Sequence, residues 1–368
     1  MKPTRQLHEL GQSLWLDNIT RGLLTGGALA RYIADDSVTG LTSNPTIFDK
    51  AIRESSFYDE AIRDKAAGGK SGEALFFDLA LEDLTRAADL FRPEHERSAG
   101  VDGWVSLEVS PLLADDADGT IAAASELHAR AQRRNLFIKI PGTKAGLRAI
   151  EESIFAGIPI NVTLLFSCEQ YLAAAEAYLR GIERRIAAKL DPVVRSVASI
   201  FVSRWDTAVQ DKVPSGLRNR LGIAVAARSY RAYRELLSSG RMRQLSDAGA
   251  APQRLLWAST GTKDPSASDT LYIEALAAPD TINTMPEGTL RAFADHGHLG
   301  TPMSADGGDA ERLLKEFERC GIEQGALAAQ LQRDGARSFT KSWNDLLECL
   351  SGKSAQLARR DAATATRR

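Results

Sequence analysis

Eight short apolar or β-rich runs, each separated from the next by segments of helical periodicity, constrain this chain more than any other feature. They lie at residues 13–19, 39–44, 103–110, 136–141, 159–166, 197–204, 254–261 and 281–285. Runs of this length flanked by turn-forming residues read as strands, and strands alternating with helices read as parallel β/α units. Eight such units are the number that closes a barrel. The chain has 368 residues, enough for one large barrel or two ordinary domains. The pattern favours an α/β fold with a single (β/α)8 TIM barrel. Additional helices are expected at 51–91 and 214–248, and a C-terminal helical extension over 311–350. The barrel unit is expected over residues 1–351. Residues 352–368 are mostly Ala, Thr, Lys and Arg without apolar periodicity, and read as a flexible C-terminal tail.

Alternation within the runs says which face is which, because successive side chains of a strand point to opposite sides. In 104–110 Val105, Leu107 and Val109 share one face, and Trp104, Ser106, Glu108 and Ser110 share the other. Leu14 and Leu16 oppose Trp15 and Asp17; Ile138 and Ile140 oppose Phe137 and Lys139. Ile160, Val162 and Leu164 oppose Asn161 and Thr163. In a barrel the aliphatic faces meet the helices. The mixed faces line the interior, with their polar members near the carboxyl ends of the strands, where such barrels keep their chemistry.

Lys139 stands out among those polar members. An ammonium group in the run Leu136-Phe137-Ile138-Lys139-Ile140-Pro141 is costly to bury unless it is paired or neutralised. A free amine there can attack a carbonyl and form a Schiff base. The competing structural role is a strand-end lysine that reaches water. Asp17, Asn44, Glu108, and Asn161 with Thr163 lie at the equivalent ends of four other strands. Each has a structural alternative: Asp17 as a helix cap, Asn44 before Pro45 as a turn, Glu108 as an ion-pair partner, Asn161 and Thr163 as mutual partners. Together they supply what a class I aldol reaction requires. An amine forms an iminium with a ketose, one carboxylate takes the C4 hydroxyl proton, and a second acid/base moves protons during imine formation. Lys144 is the rival nucleophile, expected in the first turn of the next helix and solvated.

Composition narrows the remaining classes. Hydrophobic residues at 43% and charged residues at 26% allow a substantial core and exclude global disorder. A net charge of −2 gives no basic imbalance for nucleic acid or an anionic membrane. Cys168, Cys320 and Cys349 are scattered, with neither metal spacing nor a disulfide framework, which suits a reducing cytoplasm. The amino-terminal residues have no apolar signal core, and no segment is long enough to span a bilayer. The sequence leaves the oligomeric state open.

Several segments resemble transaldolase motifs. These are Thr42-Ser43-Asn44-Pro45-Thr46-Ile47-Phe48, Ser106-Leu107-Glu108-Val109-Ser110-Pro111, Phe137-Ile138-Lys139-Ile140-Pro141-Gly142-Thr143-Lys144-Ala145-Gly146 and Ile160-Asn161-Val162-Thr163-Leu164. Trp257-Ala258-Ser259-Thr260-Gly261-Thr262-Lys263 and Thr281-Ile282-Asn283-Thr284-Met285-Pro286 belong with them. The resemblance runs from about Leu7 to about Leu350 and points to the longer bacterial branch of the transaldolase family. It implies transfer of a dihydroxyacetone unit from sedoheptulose 7-phosphate or fructose 6-phosphate to an aldose phosphate, glyceraldehyde 3-phosphate or erythrose 4-phosphate. The setting is the non-oxidative pentose phosphate pathway, with sugar phosphates as partners and neither metal nor organic cofactor. Carried over by position, the resemblance makes Lys139 the Schiff-base lysine and Asp17 the base for C–C cleavage, with Glu108 acting through a water held by Thr163. Asn44, Asn161 and Ser199 would grip dihydroxyacetone hydroxyls. Arg204 would reach the phosphate, and Ser259 and Lys263, in the loop after the seventh strand where such barrels often bind phosphate, would help to hold it. In the segment from Ser199 to Arg204, Ile200 and Ser203 stand where the family has proline and glycine, and Lys263 stands near the place of a second phosphate arginine. The alternatives are a fructose-6-phosphate aldolase-like enzyme and a non-catalytic sugar-phosphate-binding barrel. The apolar stripe Phe339, Trp343, Leu346, Leu347 and Leu350 fits packing on the outer wall or a lid over the strand ends.

Overall fold

A computed structural model describes residues 1–365. Its eight strands are β1 (Ser13–Asp17), β2 (Val38–Thr42), β3 (Trp104–Glu108), β4 (Leu136–Pro141), β5 (Ile160–Leu165), β6 (Ser196–Phe201), β7 (Arg254–Ala258) and β8 (Ile282–Met285). They pair in sequence order, all parallel, and β8 returns to β1 to close the barrel. Each falls within or overlaps one of the eight apolar runs.

The two faces of the strands build two cores. Leu14, Leu16, Val105, Leu107, Ile138, Ile140, Ile160 and Val162 join the cluster between barrel and helices. Trp15, Trp104, Phe137, Val197, Leu256 and Ile282 form the interior cluster. There Trp104 stacks on Phe137 with ring centroids 4.0 Å apart. Gly40 on β2 is required by this packing, since a Cβ would sit 2.5 Å from the Trp15 indole. Aromatic side chains thus plug the lower barrel and leave the carboxyl end for polar groups.

Leu164 departs from its expected face. It packs in the interior cluster with Phe166 instead of outside with Val162. The cause is a register shift between Val162 and Leu165, with Leu164 in the left-handed region at φ 58°. A bulge inserts a residue and reverses the alternation beyond it. Gln332 of the C-terminal helix donates to the Leu164 and Gly142 carbonyls, each at 3.0 Å, and ties the bulge down.

The extra helical matter is as expected in place but more divided. Pro45–Glu54, Asp59–Ala67 and Gly72–Arg97 fill the β2–β3 connection, and Leu221–Leu237 and Gly240–Asp247 lie between β6 and β7. Beyond β8 and the helix Glu287–His296 that follows it, the extension is two helices, Ala310–Arg319 and Gln324–Ala365, instead of one over 311–350. Gly321, at φ 82°, breaks it.

The tail also differs from expectation. The last helix continues past residue 352 to Ala365. Lys353 donates to the Ile52 carbonyl at 2.6 Å and to that of Ser55, at the end of helix Pro45–Glu54, and pairs with Asp59 at 2.8 Å. Leu357, one heptad after Leu350, is only 3% exposed, and Arg63 bonds Asp361 at 2.8 Å. A cation on the last carbonyls of a helix is favourable, so these contacts hold the segment although its apolar pattern is sparse. Residues 366–368 of the expected tail lie outside the described residues.

Candidate active site

At the carboxyl end of the barrel, adjacent strands bring the polar residues together by register. Asp17 is level with Thr42, Glu108 with Lys139, Lys139 with Asn161, and Pro141 with Thr163. A cavity of about 250 Å³ opens over them. Asp17, Asn44, Lys139, Thr163, Ser199, Arg204, Ser259 and Lys263 all line it. Glu108 and Asn161 lie immediately behind this lining.

Lys139 and Glu108 form an ion pair at 3.4 Å, with side chains 8% and 6% exposed. The separation exceeds that of a charge-assisted hydrogen bond. Lys139 Nζ also donates to the Ser43 carbonyl at 3.3 Å. Burial pushes the Glu108 carboxyl above its ordinary range; Lys139 opposes the rise and the charge of Asp17 adds to it. Burial likewise raises Asp17, against Lys139, a hydrogen bond from Thr42, and Lys263. Two carboxylates near one amine, both biased toward holding a proton, are an arrangement suited to moving protons rather than to stability.

The neighbouring polar side chains are held in short chains of hydrogen bonds. Ser199 Oγ donates to Asn161 Oδ1 at 2.7 Å, and Asn161 Nδ2 donates to Ser106 Oγ at 3.1 Å. Asn161 is fully buried, so it meets the cavity through Ser199. Asn44 is the N-cap of helix Pro45–Glu54: its Oδ1 accepts from the Ile47 amide at 3.1 Å. Its Nδ2 makes no hydrogen bond within the described residues and remains available to the cavity it lines. Thr163 Oγ1 is buried without a hydrogen-bond partner among the described residues.

The cationic end of the cavity is built from the loops after β6 and β7. Arg204 and Lys263 are exposed cavity residues. Arg204 makes no ion pair with nearby Asp206 among the described residues. Asp206 accepts instead from the Leu221 and Gly222 amides and the Tyr272 hydroxyl. Ser259 has φ 55°, and its hydroxyl bonds that of Ser203 at 2.9 Å, which joins the two loops.

Lys144 is the first residue of helix Lys144–Ala156, capped by Thr143, and is exposed. It lines a wider groove of about 890 Å³ beside the C-terminal helix that contains neither Lys139, Asp17 nor Glu108.

The C-terminal helix covers the strand ends. The Phe339 ring lies 5.8 Å from Lys139 Nζ, packs at 6.5 Å against Phe201, and lines the cavity. Trp343 Nε1 donates at 3.0 Å to Glu73, which also accepts from Ser110 just beyond β3. Thr42, Phe201 and Thr284 are cavity residues that reading the sequence missed, whereas Phe339 lies where the lid reading of its stripe expects it. For Thr42 and Thr284 the available signal was a polar residue near the carboxyl end of a strand on its inward face. Phe339 was read as part of the apolar stripe.

Among the described residues, no group of three or more His, Cys, Asp or Glu could hold a metal ion. No helix among them is long and apolar enough to cross a membrane.

The sequence model of the transaldolase/fructose-6-phosphate aldolase family matches residues 14–350. The chain is 44% identical over 359 residues to a transaldolase of Parafrankia sp. (strain EAN1pec), covering 95% of this chain and 97% of that one. It is 45% identical over 355 residues to a transaldolase of Thermobifida fusca (strain YX), covering 94% and 96%. With a transaldolase of Thiobacillus denitrificans (strain ATCC 25259 / T1) it shares 42% over 355 residues, covering 94% and 99%. The closed barrel, the buried lysine paired with one carboxylate and sharing a cavity with a second, and similarity over nearly the whole length agree: the chain belongs to the transaldolase family.

Proposed function

We propose that this cavity transfers a dihydroxyacetone unit from sedoheptulose 7-phosphate or fructose 6-phosphate to glyceraldehyde 3-phosphate or erythrose 4-phosphate, within the non-oxidative pentose phosphate pathway. The observation that carries the residue roles is the buried Lys139–Glu108 pair, 3.4 Å apart, with Asp17 in the same cavity. Lys139 attacks the ketose carbonyl. Glu108, through a water held by the unpartnered Thr163 hydroxyl, supplies and removes the protons of carbinolamine formation and dehydration. Asp17 takes the C4 hydroxyl proton. The C3–C4 electron pair then moves into the iminium to give an enamine, and the aldose phosphate leaves. The enamine attacks the acceptor carbonyl, Asp17 returns the proton, and hydrolysis frees the lysine.

Ser199, held by Asn161, and Asn44 bind the dihydroxyacetone hydroxyls. Arg204, Lys263 and the Ser259 hydroxyl hold the phosphate dianion, which needs positive charge and directed donors. Unpaired thiols at Cys168, Cys320 and Cys349 fit a cytoplasmic setting.

Borohydride reduction in the presence of fructose 6-phosphate, read by mass spectrometry, tests the scheme. The expected product is a three-carbon adduct on Lys139. Turnover with erythrose 4-phosphate should yield sedoheptulose 7-phosphate. Absence of the adduct would refute the lysine chemistry, and free dihydroxyacetone accumulating without an acceptor would make the enzyme an aldolase.

A further inference from the structure

Three hydroxyl and carboxyl groups from three different strands stand in line at the edge of the cavity. Thr42 Oγ1 donates to Asp17 Oδ1 at 2.8 Å, and Thr42 Oγ1 meets Thr284 Oγ1 at 2.7 Å. Thr42 and Thr284 are almost wholly buried, yet both line the cavity. The backbone of Thr284 is held independently, since its carbonyl lies 2.9 Å from Thr260 Oγ1, whose single proton is shared between that carbonyl and Asn283 Oδ1, also at 2.9 Å.

Proton counting sets the direction of this chain. An ionised carboxylate only accepts, and a threonine hydroxyl carries one proton. When Thr42 gives its proton to Asp17, the short contact to Thr284 is a hydrogen bond only if Thr284 donates. When Asp17 holds the proton taken from the ketose, every bond can reverse: Asp17 donates to Thr42, and Thr42 to Thr284. The Thr284 hydroxyl then turns toward the cavity. Only hydroxyl rotors move; no side chain shifts.

We infer that Thr284 is a positioning residue for C–C bond cleavage: acting through Thr42, it orients the Asp17 carboxylate and lets the hydrogen-bond chain reverse when Asp17 changes protonation state. Donors in such a chain strengthen one another, so Thr284 makes Thr42 a better donor to the ionised base. The other charged groups around Asp17 act on it separately. They are Lys139 on β4, Glu108 on β3 and Lys263 after β7. Across a second cavity that Asp17 also lines stand Lys50, Glu54 and Glu287. None of them bonds to Thr42 or Thr284 among the described residues.

The inference rests on Asp17 being the cleavage base, so Asp17→Asn is measured beside Thr284→Val and Thr284→Ser. Valine keeps the shape of threonine and removes the hydroxyl; serine keeps the hydroxyl. Thr284→Val should lower kcat for transfer from fructose 6-phosphate to erythrose 4-phosphate by roughly three- to tenfold, the range of one net hydrogen bond. KM for fructose 6-phosphate and the rate of borohydride-trapped imine formation should not change. The acid limb of kcat should move to higher pH, because an ionised base that loses a donor holds its proton more strongly. Thr284→Ser should restore both rate and profile. Equal slowing of trapping and cleavage, a change in KM alone, or a serine variant as impaired as valine overturns the inference. Should valine prevent folding, Thr284→Ala takes the same measurements. Failure of both to fold beside an active serine variant also overturns it, since the hydroxyl would then serve the barrel. An Asp17→Asn enzyme that cleaves normally refutes the base assignment itself. A normal Thr284→Val beside an inactive Asp17→Asn refutes only the role of Thr284.

Discussion

Glu108→Gln separates the work of the two carboxylates. Glu108 and Lys139 stand 3.4 Å apart, both nearly removed from water. At an effective dielectric constant of about 20, unit charges at that separation attract by about 5 kcal/mol. Desolvation of the two groups offsets much of that attraction. Glutamine keeps the outline of the side chain and removes both its charge and its acid–base function. The lysine is left with the Ser43 carbonyl, 3.3 Å away. Removing one member of a buried pair costs about 3–5 kcal/mol of stability, so a lowered Tm by itself does not discriminate between a structural and a catalytic Glu108. The step affected does. General acid–base catalysis is worth about 10²–10⁴-fold, and the scheme assigns that loss to imine formation.

Rapid quench into borohydride with fructose 6-phosphate, followed by mass spectrometry, resolves the steps. Glu108→Gln should trap an adduct about 10²–10⁴-fold more slowly than the parent, and the adduct should have three carbons because Asp17 still cleaves. Asp17→Ala should trap at the parent rate and accumulate a six-carbon adduct. Trapping by Glu108→Gln at the parent rate, or one adduct and one rate defect in both variants, would refute the division of labour.

Lys139→Arg keeps the charge but offers no amine that can deprotonate, so turnover and the trapped adduct should both vanish; an adduct that survives here and disappears in Lys144→Arg would move the nucleophile to Lys144. Arg204→Ala and Lys263→Ala should each raise KM for fructose 6-phosphate by about tenfold or more, as charged hydrogen bonds are worth about 1.5–3 kcal/mol. Cleavage of unphosphorylated fructose should barely change, and equal losses on both sugars would assign these residues to the barrel. Trp343→Phe removes the donor to Glu73 and loosens the helix that carries Phe339; KM should rise more than Tm falls, and a purely destabilised enzyme with normal KM would make that helix outer-wall packing. Burial pushes Asp206 from its ordinary 3.8 up to about 6. A raised carboxyl favours the fold fully below about pH 4 and loses that contribution as pH rises through about 6. Asp206→Asn should therefore flatten the fall of Tm between those values, and an unchanged slope counts against it.

The barrel was legible because period-2 alternation and strand count are local properties that survive folding. Lys139, Glu108 and Asp17 were legible for the same reason: a charge on the mixed face near a strand's carboxyl end has few places to go but the barrel mouth. The structure's departures arise where a distant element decides a local conformation. Leu164 belongs to the aliphatic face by counting, but one left-handed residue turns it inward, and the Gln332 side chain that secures that bulge comes from 168 residues further along. Thr284 and Thr42 are 242 residues apart and acquire their relation to Asp17 only through closure of β8 onto β1.

The final helix illustrates the same limit from the opposite side. By composition, residues beyond 352 have too few apolar positions to predict packing. Their attachment depends on Lys353 finding the exposed carbonyls that end helix Pro45–Glu54. That helix is capped at its start by Asn44, one of the residues lining the cavity. The element that carries Phe339 over Lys139 is therefore anchored to the far end of the helix that Asn44 caps, and Thr46 Oγ1 bonds Ser342 at 2.9 Å between them. The cover is thus tied to both ends of the helix that carries Asn44 into the cavity lining. Weakening the anchor with Lys353→Ala, far from the cavity, should raise KM for fructose 6-phosphate while the imine-trapping rate at saturation is unchanged. A variant with parental KM would show that the cover is held by the Phe339 and Trp343 packing alone.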